Sequence, residues 1–320
     1  MLNATILVGN AVERLQTIGG GAAQTCITSP PYYGLRNYGH DGQIGLEKSV
    51  DDYVSALVEV FAEVHRVLAD NGTLWLNLGD SYFPHGGSRG NKTPAGDTLR
   101  GRENDYQPAP KMSSGDNKIK AKDLIGIPWR VAFALQSWGW YLRGDIIWHK
   151  PNPMPESVKD RPTKSHEYIF LLAKSERYFY DSEAIKEPSI WADDARAGLG
   201  RLNYRGKRQG QEGTGQEAFV SIKEFRNKRS VWTVPVRAYK GAHFATYPPA
   251  LIEPCVLAGS KEGDIVLDPF SGSGTTGEVA LLNNRNYVGT ELNPDYADMS
   301  VDRIGNAVGM LGQVTLEREK

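Results

Sequence analysis

Residues 264–277 read Asp264-Ile265-Val266-Leu267-Asp268-Pro269-Phe270-Ser271-Gly272-Ser273-Gly274-Thr275-Thr276-Gly277. The pattern is typical of a strand over residues 264–267, a glycine-rich turn and the start of a helix. Gly272, Gly274 and Gly277 carry no Cβ, so their backbone can come close to a ligand. Ligands of open α/β sheets bind just beyond the carboxyl ends of strands, where this turn would lie. The stretch therefore predicts an α/β sheet with a ligand site at the turn.

Two acidic residues around the turn indicate what the ligand is. The Gly-x-Gly-x-x-Gly spacing also occurs in dinucleotide sites, but the Asp268 carboxylate ahead of it would repel a pyrophosphate. That carboxylate suits a cationic amino-acid end instead, such as the ammonium of S-adenosylmethionine. Glu291 follows a predicted strand over residues 287–289, and an acid there can accept hydrogen bonds from both ribose hydroxyls. No Gly-Lys-Ser/Thr ends the turn, which excludes a Walker loop.

A second turn, Thr28-Ser29-Pro30-Pro31-Tyr32, closes a predicted strand over residues 24–28. Its prolines fix φ, so the corner can aim Ser29 Oγ and the Pro30 carbonyl at the amino hydrogens of a substrate. The lone pair of cytosine N4 or adenine N6 is delocalised into the ring, and these hydrogen bonds would pull the nitrogen toward tetrahedral geometry. Attack on a sulfonium methyl would then depend on positioning, without a covalent enzyme intermediate. Tyr32 would stack on a base flipped out of the duplex.

Methylation of cytosine C5 is a different chemistry, because it needs a cysteine nucleophile that adds to the ring. The chain has two cysteines, Cys26 in a predicted strand and Cys255 in a predicted helix. We interpret both as small buried residues.

The rest of the chain alternates strands with helices. Apolar runs predict strands at residues 4–8, 24–28, 73–78, 140–148 and 166–172. Helical spacing predicts helices at residues 12–18, 50–68, 128–137, 248–258 and from 294 onward. Strands apolar enough for burial on both faces indicate a largely parallel sheet with helices on both sides.

Bulk composition predicts an ordinary globular protein of the cytoplasm. Of 320 residues, 40% are hydrophobic and 23% charged, and no apolar run approaches the roughly 18 residues that span a bilayer. The first residues lack the layout of a signal peptide. Two cysteines make neither a disulfide framework nor a metal cluster, which favours a reducing compartment.

Positive charge is concentrated in the least regular parts of the chain, although the net charge is only -1. Residues 83–122 contain eight Lys or Arg against four Asp or Glu. Two tighter clusters lie at residues 201–208 and 223–229. Such clusters favour contact with nucleic-acid phosphates. The predicted DNA-binding residues are Arg36, Lys150, Arg201, Arg205, Lys207, Arg208, Arg226 and Arg229.

Taken together, these residues resemble the β class of DNA amino-methyltransferases, the circularly permuted group of the Ser-Pro-Pro-Tyr type. In that group the catalytic tetrapeptide precedes the cofactor turn, as Ser29 precedes Asp268 here. The resemblance covers nearly the whole chain. It implies an α/β, Rossmann-like methyltransferase sheet with helices on both faces, plus a small irregular target-recognition region. The strand end beside the family's catalytic loop resembles residues 76–82. The family's DNA-side loop resembles residues 148–155, and the strand that follows it resembles residues 161–167.

The resemblance also implies the residues of the site, with S-adenosylmethionine as cofactor and no metal. Residues 8–11 resemble the segment at the cofactor's adenine, although the family usually has Asp where this chain has Asn10. Residues 243–249 resemble the segment packed on its methionine part. The predicted catalytic residues are Ser29, Pro30, Pro31 and Tyr32. The predicted cofactor-binding residues are Asn10, Thr246, Asp268, Pro269, Phe270, Gly272, Gly274, Thr275 and Glu291.

Five segments follow from this organisation. Residues 1–82 and 123–180 form the catalytic half, and residues 231–320 form the cofactor-binding half. Residues 83–122, rich in Gly, Ser, Pro, Asn and Lys, are expected to be a mobile basic insertion that closes over DNA. Residues 181–230 are expected to recognise the target sequence.

The predicted function is site-specific methylation of double-stranded DNA, with cytosine N4 preferred and adenine N6 as the alternative. We expect a homodimer and either a cognate restriction enzyme or none. Methylation of RNA or of a protein glutamine is a second enzyme class, but such sites usually carry Asn at the place of Ser29. A DNA-binding protein with an inactive pocket is the non-enzymatic alternative, against which the intact Ser29, Asp268 and Glu291 argue.

Overall fold

The fold comes from a computed structural model that describes residues 2–35, 37, 39–83, 119–189, 225–236, 247–309 and 312–318. Several predictions fall outside these described residues. They concern most of the basic insertion, most of the recognition segment, and the site residues Arg36, Arg201, Arg205, Lys207, Arg208 and Thr246.

Nine described strands form one mixed sheet. They are β1 Leu2–Val8, β2 Ala23–Thr28, β3 Leu68–Leu78, β4 Tyr141–His149, β5 His166–Ala173, β8 Val231–Thr233, β9 Ile265–Asp268, β10 Asn286–Glu291 and β11 Gly312–Glu317. Their spatial order is β11-β1-β10-β9-β2-β3-β5-β4-β8. Strand β5 runs antiparallel to β3 and β4, and the other neighbours are parallel. The predicted α/β class with a largely parallel sheet is confirmed.

Helices cover both faces of this sheet. They are α1 Ala11–Gln16, α2 Val50–Val67, α3 Ile127–Trp138, α4 Pro249–Gly259, α5 Thr275–Leu282 and α6 Pro294–Val308. Successive strand residues point to opposite faces: Cys26 packs in one core with α1, α2 and α3, whereas Thr25 meets Gly259 of α4. None of the helices in the described ranges combines the length and apolar character needed to cross a bilayer.

Helix α2 shows how the sequence dictates its own packing. Ser49 begins it as N-cap, accepting a hydrogen bond from the Asp52 backbone N–H at 3.1 Å. The residues of this helix that are buried recur at helical spacing, as Val50, Tyr53, Leu57, Val60, Phe61, Val64 and Val67. Strand β3 begins at the next residue, five residues earlier than predicted.

The last strand, β11, was not predicted. Its residues alternate between half-buried and exposed at the edge of the sheet. An edge strand of this kind needs no continuous apolar run, so the sequence lacks the signal that marks the central strands.

Residues 181–229 form a separate compact unit. Its described part holds two short antiparallel strands, β6 Glu187–Pro188 and β7 Phe225–Arg226. The Glu187 carboxylate accepts hydrogen bonds from Arg226 Nε at 2.9 Å and Arg229 Nε at 2.6 Å. An ion-pair cluster of this kind helps to hold the two strand segments together.

Two helical glycines make a matched test of the packing. A Cβ on Gly277 of α5 would lie 2.4 Å from Ile304 Cδ1 and 2.8 Å from the Tyr287 ring. We expect Gly277→Ala to lower the free energy of unfolding by about 1–3 kcal/mol through overpacking. Gly305→Ala in α6 meets nothing within 4 Å and should raise it by about 0.5–1 kcal/mol. Urea unfolding of both variants measures the difference; equal effects would contradict the packing described here.

Candidate functional site

The two predicted motifs meet at one cavity of about 260 Å³. It lies beyond the carboxyl ends of β2, β9 and β10. The turn after β2 contributes Ser29, Pro30, Pro31 and Tyr32 to its wall, and the region of the cofactor turn contributes Pro269, Phe270, Gly272, Thr275 and Glu291. Asn10, at the end of β1, lines it as well. Parallel pairing of β2 with β9 brings these segments together although they are distant in the chain.

Asp268 joins the two motifs from behind the cavity wall. The residue is fully buried, and its Oδ1 accepts hydrogen bonds from Thr28 Oγ1 at 2.6 Å and the Phe270 N–H at 3.0 Å. Its Oδ2 accepts from Thr276 Oγ1 at 2.6 Å and the Tyr247 hydroxyl at 3.3 Å. Burial raises the pKa of Asp268 to about 6, although these four donors favour the ionised form.

This position differs from the one expected for Asp268. Its carboxylate does not line the cavity, and four protein donors already occupy its oxygens. The described geometry supports a role in holding the glycine-rich turn against the Ser29 turn. The predicted contact of Asp268 with a cofactor ammonium stays a prediction. Gly274 also lies outside the lining. Its Cβ would stand 2.7 Å from Ser300 Oγ, so its place reflects close packing of the turn on α6.

Glu291 reaches the cavity with its carboxylate held by two backbone donors. Oε2 accepts from the Gly272 N–H at 2.7 Å, and Oε1 accepts from the Asn293 N–H at 2.9 Å. Each oxygen retains a second lone pair, which can accept from a hydroxyl of a ligand. Burial raises the pKa of Glu291 to about 7, with backbone hydrogen bonds from Asn293, Gly272 and Leu292 opposing the rise.

Asn10 has a local role as well as a place in the cavity wall. Its side-chain oxygen caps helix α1 by accepting from the Val12 N–H at 2.9 Å. The amide nitrogen is thereby left as the group that can donate to a ligand. Asparagine thus fits this position as a cap and as a hydrogen-bond donor, where an aspartate could only accept.

Tyr32 is fixed at both its ring and its hydroxyl. Its ring packs so close to Gly79 that a Cβ there would lie 2.5 Å from Tyr32 Cε2. Its hydroxyl donates to Glu167 Oε2 at 2.8 Å and lies 3.4 Å from Asn77 Oδ1. Burial raises the pKa of Tyr32 well above its usual value. The predicted stacking residue is therefore a neutral, anchored side chain.

Sequence reasoning did not select Asn77 and Glu167, although both line the cavity. Each lies within a segment that the family resemblance had marked, near the end of β3 and the start of β5, but neither stands in a motif of its own. Lys150, predicted to bind DNA, forms an ion pair with Glu167 and lies 4.2 Å from the centre of the Trp148 ring. In this structure Lys150 belongs to the cavity wall.

The other described residues that were predicted to bind DNA lie in the 181–229 unit. Arg226 and Arg229 both pair with Glu187, and Arg229 remains 65% exposed at its side chain. Arg36, Arg201, Arg205, Lys207 and Arg208 lie outside the described residues. Their predicted contacts with DNA stay predictions.

The prediction that both cysteines are buried is confirmed. Cys26 lies in β2 and Cys255 in α4, each fully buried. Burial raises the pKa of the Cys26 thiol well above its usual value, so it stays protonated. Neither thiol lines the cavity, and a cysteine-based attack on a base has no support in this geometry.

Comparison with known proteins gives one consistent family. The model of the DNA methylase family N6_N4_Mtase matches residues 23–302. The type II methyltransferase M.Cfr9I of Citrobacter freundii is 47% identical over 94% of this chain and 87% of its own length. The cytosine-N4-specific PvuII DNA methyltransferase shares the fold at a TM-score of 0.61, with 17% identity over 98% of this chain and 95% of its own. A Thermus thermophilus protein crystallised with S-adenosyl-L-methionine has a TM-score of 0.59, at 21% identity over 99% and 100% of the two chains.

The hydrogen bonds of Asp268 predict a large effect on stability. Asp268→Ala leaves Thr28 Oγ1 and the Phe270 N–H without their acceptor, while Thr276 and the Tyr247 hydroxyl keep the hydrogen bond that joins them. It should lower the free energy of unfolding by roughly 2–5 kcal/mol. Asp268→Asn retains one acceptor oxygen and should cost less than half as much. As control, Asp160→Ala removes a surface pair with Lys122, 61% exposed at the aspartate, and should leave the free energy of unfolding nearly unchanged because solvent screens the pair. Urea unfolding compares the three variants; an Asp268→Ala protein as stable as the control would show that the four bonds do not hold the turn.

Proposed function

The chain belongs to the DNA methylase family N6_N4_Mtase, and we propose that it transfers the methyl group of S-adenosylmethionine to an exocyclic amino group of a flipped base in duplex DNA. The observation that carries the proposal is the shared cavity, lined by Ser29 to Tyr32 on one side and by the glycine-rich turn and Glu291 on the other. The target amino group and the methyl donor can meet only where their two binding sites open into one space.

The cofactor half of the cavity fits S-adenosylmethionine. Glu291 presents free lone pairs for the two ribose hydroxyls. The Asn10 amide can donate to a ring nitrogen of adenine. The backbone around Gly272 lines the cavity without side-chain bulk, and the related fold crystallised with this cofactor supports the assignment. Bound there, S-adenosylmethionine would supply the sulfonium methyl group.

The catalytic half would prepare the amino nitrogen. Ser29 Oγ and the Pro30 carbonyl accept hydrogen bonds from its two N–H groups and direct its lone pair toward the methyl group. As the N–C bond forms and the S–C bond breaks, the nitrogen releases one proton to water. Pro31 stiffens the corner, and its carbonyl is held by the Tyr53 hydroxyl at 2.8 Å. The contribution of this side is a fixed polar geometry, which needs no reorganisation at the moment of transfer. Tyr32 contacts the extruded base and replaces part of the stacking lost from the duplex.

Cytosine N4 is the preferred target, with adenine N6 as the alternative. Both targets are conjugated amines, so the mechanism alone does not distinguish them. The preference for cytosine N4 therefore rests on Ser29 as the first residue of the tetrapeptide. Digestion of methylated DNA to nucleosides, followed by mass spectrometry, decides between them. N4-methylcytosine is the expected product; N6-methyladenine alone would overturn the preference and leave the mechanism intact.

The remaining assignments concern the protein's surroundings. We assign target recognition to residues 181–230 and closure over DNA to residues 83–122, on their composition and charge. Three further points stay predictions. They are a homodimeric state, a cytoplasmic location, and either a cognate restriction enzyme or none. Limited proteolysis with and without duplex DNA tests the closing segment, since unchanged cleavage within residues 83–122 would contradict it.

Ser29 gives the most direct test of catalysis. Ser29→Ala removes one acceptor from the amino group, and we expect single-turnover methyl transfer to slow by about 10²–10³-fold. The dissociation constant of S-adenosylmethionine should stay within about twofold, because Ser29 acts on the other substrate. Radiolabelled cofactor with duplex DNA measures the rate. An unchanged rate would remove Ser29 from the mechanism.

The raised pKa of Glu291 predicts that cofactor binding depends on pH. Ribose hydroxyls donate to the carboxylate form, so affinity should rise as pH rises through the pKa of about 7 and level off above it. Between pH 8 and pH 6 we expect about a tenfold loss of affinity. Glu291→Gln should bind weakly and lose this dependence. Calorimetric titration across that range compares the two proteins; a parallel pH dependence in the variant would assign it to another group.

A further inference from the structure

Two hydroxyls of the glycine-rich turn each keep a hydrogen that no described residue accepts. Ser273 and Thr275 are only 5% and 4% exposed, and both line the cavity. Arg303 Nη1 lies 3.1 Å from Ser273 Oγ and 2.6 Å from Thr275 Oγ1. Among the residues that the structure describes, neither hydroxyl has another hydrogen-bond partner. Buried polar hydrogens are expected to meet an acceptor, and here the cavity is where one can lie.

Arg303, in α6, fixes the direction of both hydrogen bonds. A guanidinium has N–H groups only and accepts no hydrogen bond, so Ser273 and Thr275 must accept. Nη1 carries two hydrogens, one for each hydroxyl. Glu278 Oε2 accepts from Arg303 Nε at 2.6 Å, and the arginine side chain is only 7% exposed. The guanidinium is therefore held in place, and each hydroxyl is oriented with its own hydrogen left to donate.

This end of the cavity favours a negatively charged group. Helix α5 begins at Thr275 with Gly274 as N-cap, a residue without a side chain that could bond the first N–H groups. The amino end of a helix stabilises anions, and hydroxyl donors backed by a cation add to that effect. S-adenosylmethionine has one anionic group, the carboxylate of its amino-acid end. The ribose hydroxyls are donors that suit Glu291 instead.

We propose that Arg303 is a positioning residue that makes the Ser273 and Thr275 hydroxyls fixed donors to the carboxylate of S-adenosylmethionine. The inference rests on the proposed function, because it assigns the recognition of one group of that cofactor. Arg303 does not line the cavity and does not need to touch the cofactor. It acts by orienting and polarising two hydroxyls, so its effect is confined to ligands that carry the carboxylate.

A comparison of two ligands tests the proposal. S-adenosylmethionine and its decarboxylated form differ only in the carboxylate, and calorimetric titration measures both dissociation constants without DNA. Wild-type protein should bind the decarboxylated form about 10- to 100-fold more weakly. Arg303→Met removes the donors and keeps an unbranched side chain. It should bind S-adenosylmethionine about tenfold more weakly than wild type, and the decarboxylated form within about twofold of wild type.

The ligand comparison distinguishes positioning from simple support of the turn. An equal loss for both ligands would overturn the proposal, because Arg303 would then act only through packing. Wild-type affinity for both ligands would overturn it as well. Arg285→Met is the matched control, since Arg285 is 7% exposed and its Nε donates to Ser260 Oγ at 3.2 Å. It precedes β10 at the amino edge of the sheet, so its variant should keep the wild-type ratio of the two dissociation constants.

A second variant removes the hydroxyls themselves. If Arg303→Met does not fold, the double variant Ser273→Ala with Thr275→Val takes its place. A loss confined to S-adenosylmethionine supports the proposal, and an equal loss for both ligands overturns it. If wild-type protein binds neither ligand, the proposed function fails. If it binds both with the same affinity, only the carboxylate assignment fails and the proposed function stands.

Discussion

A hydrogen bond of 2.6 Å from Thr28 to Asp268 joins two turns that are 240 residues apart in the chain. Strands β2 and β9 share only two backbone positions in register, Thr25 with Val266 and Cys26 with Leu267. The side-chain bond extends that short pairing to the point where both strands end. Because the carboxyl ends of parallel strands lie at one edge of a sheet, each turn then faces the same cavity. The order of the two strands in the sequence does not affect where their carboxyl ends lie.

The two carboxylates of the cofactor side are held by neutral donors. Asp268 accepts from three hydroxyls and one backbone N–H, and Glu291 accepts from two backbone N–H groups. Neutral donors stabilise a negative charge without cancelling it, so burial still raises both pKa values, to about 6 and about 7. Raised carboxyl pKa values mean that the folded chain loses stability as pH rises through them.

The fold and the two motifs could be predicted because each depends on local sequence. Buried parallel strands are apolar on both faces, so runs such as residues 24–28 are visible, and a glycine turn needs residues of one kind at fixed spacing. The half-exposed edge strand β11 gives no such signal. The place of Asp268 behind the wall could not be predicted either. Its four donors include Thr28 and Tyr247, which become neighbours only when the sheet has formed.

The direction of β5 is the clearest case of information that no local pattern contains. Strands β3 and β4 present their carboxyl ends to the cavity, at Leu78 and His149. An antiparallel strand between them must present its amino end at that same edge, and β5 begins at His166 with Glu167 opposite Trp148. A parallel β5 would have placed Glu167 at the far edge of the sheet, roughly eight residues of strand away from Tyr32. The polar wall behind Tyr32 thus depends on one reversal of chain direction, and the residues it assembles follow from the topology rather than from any motif.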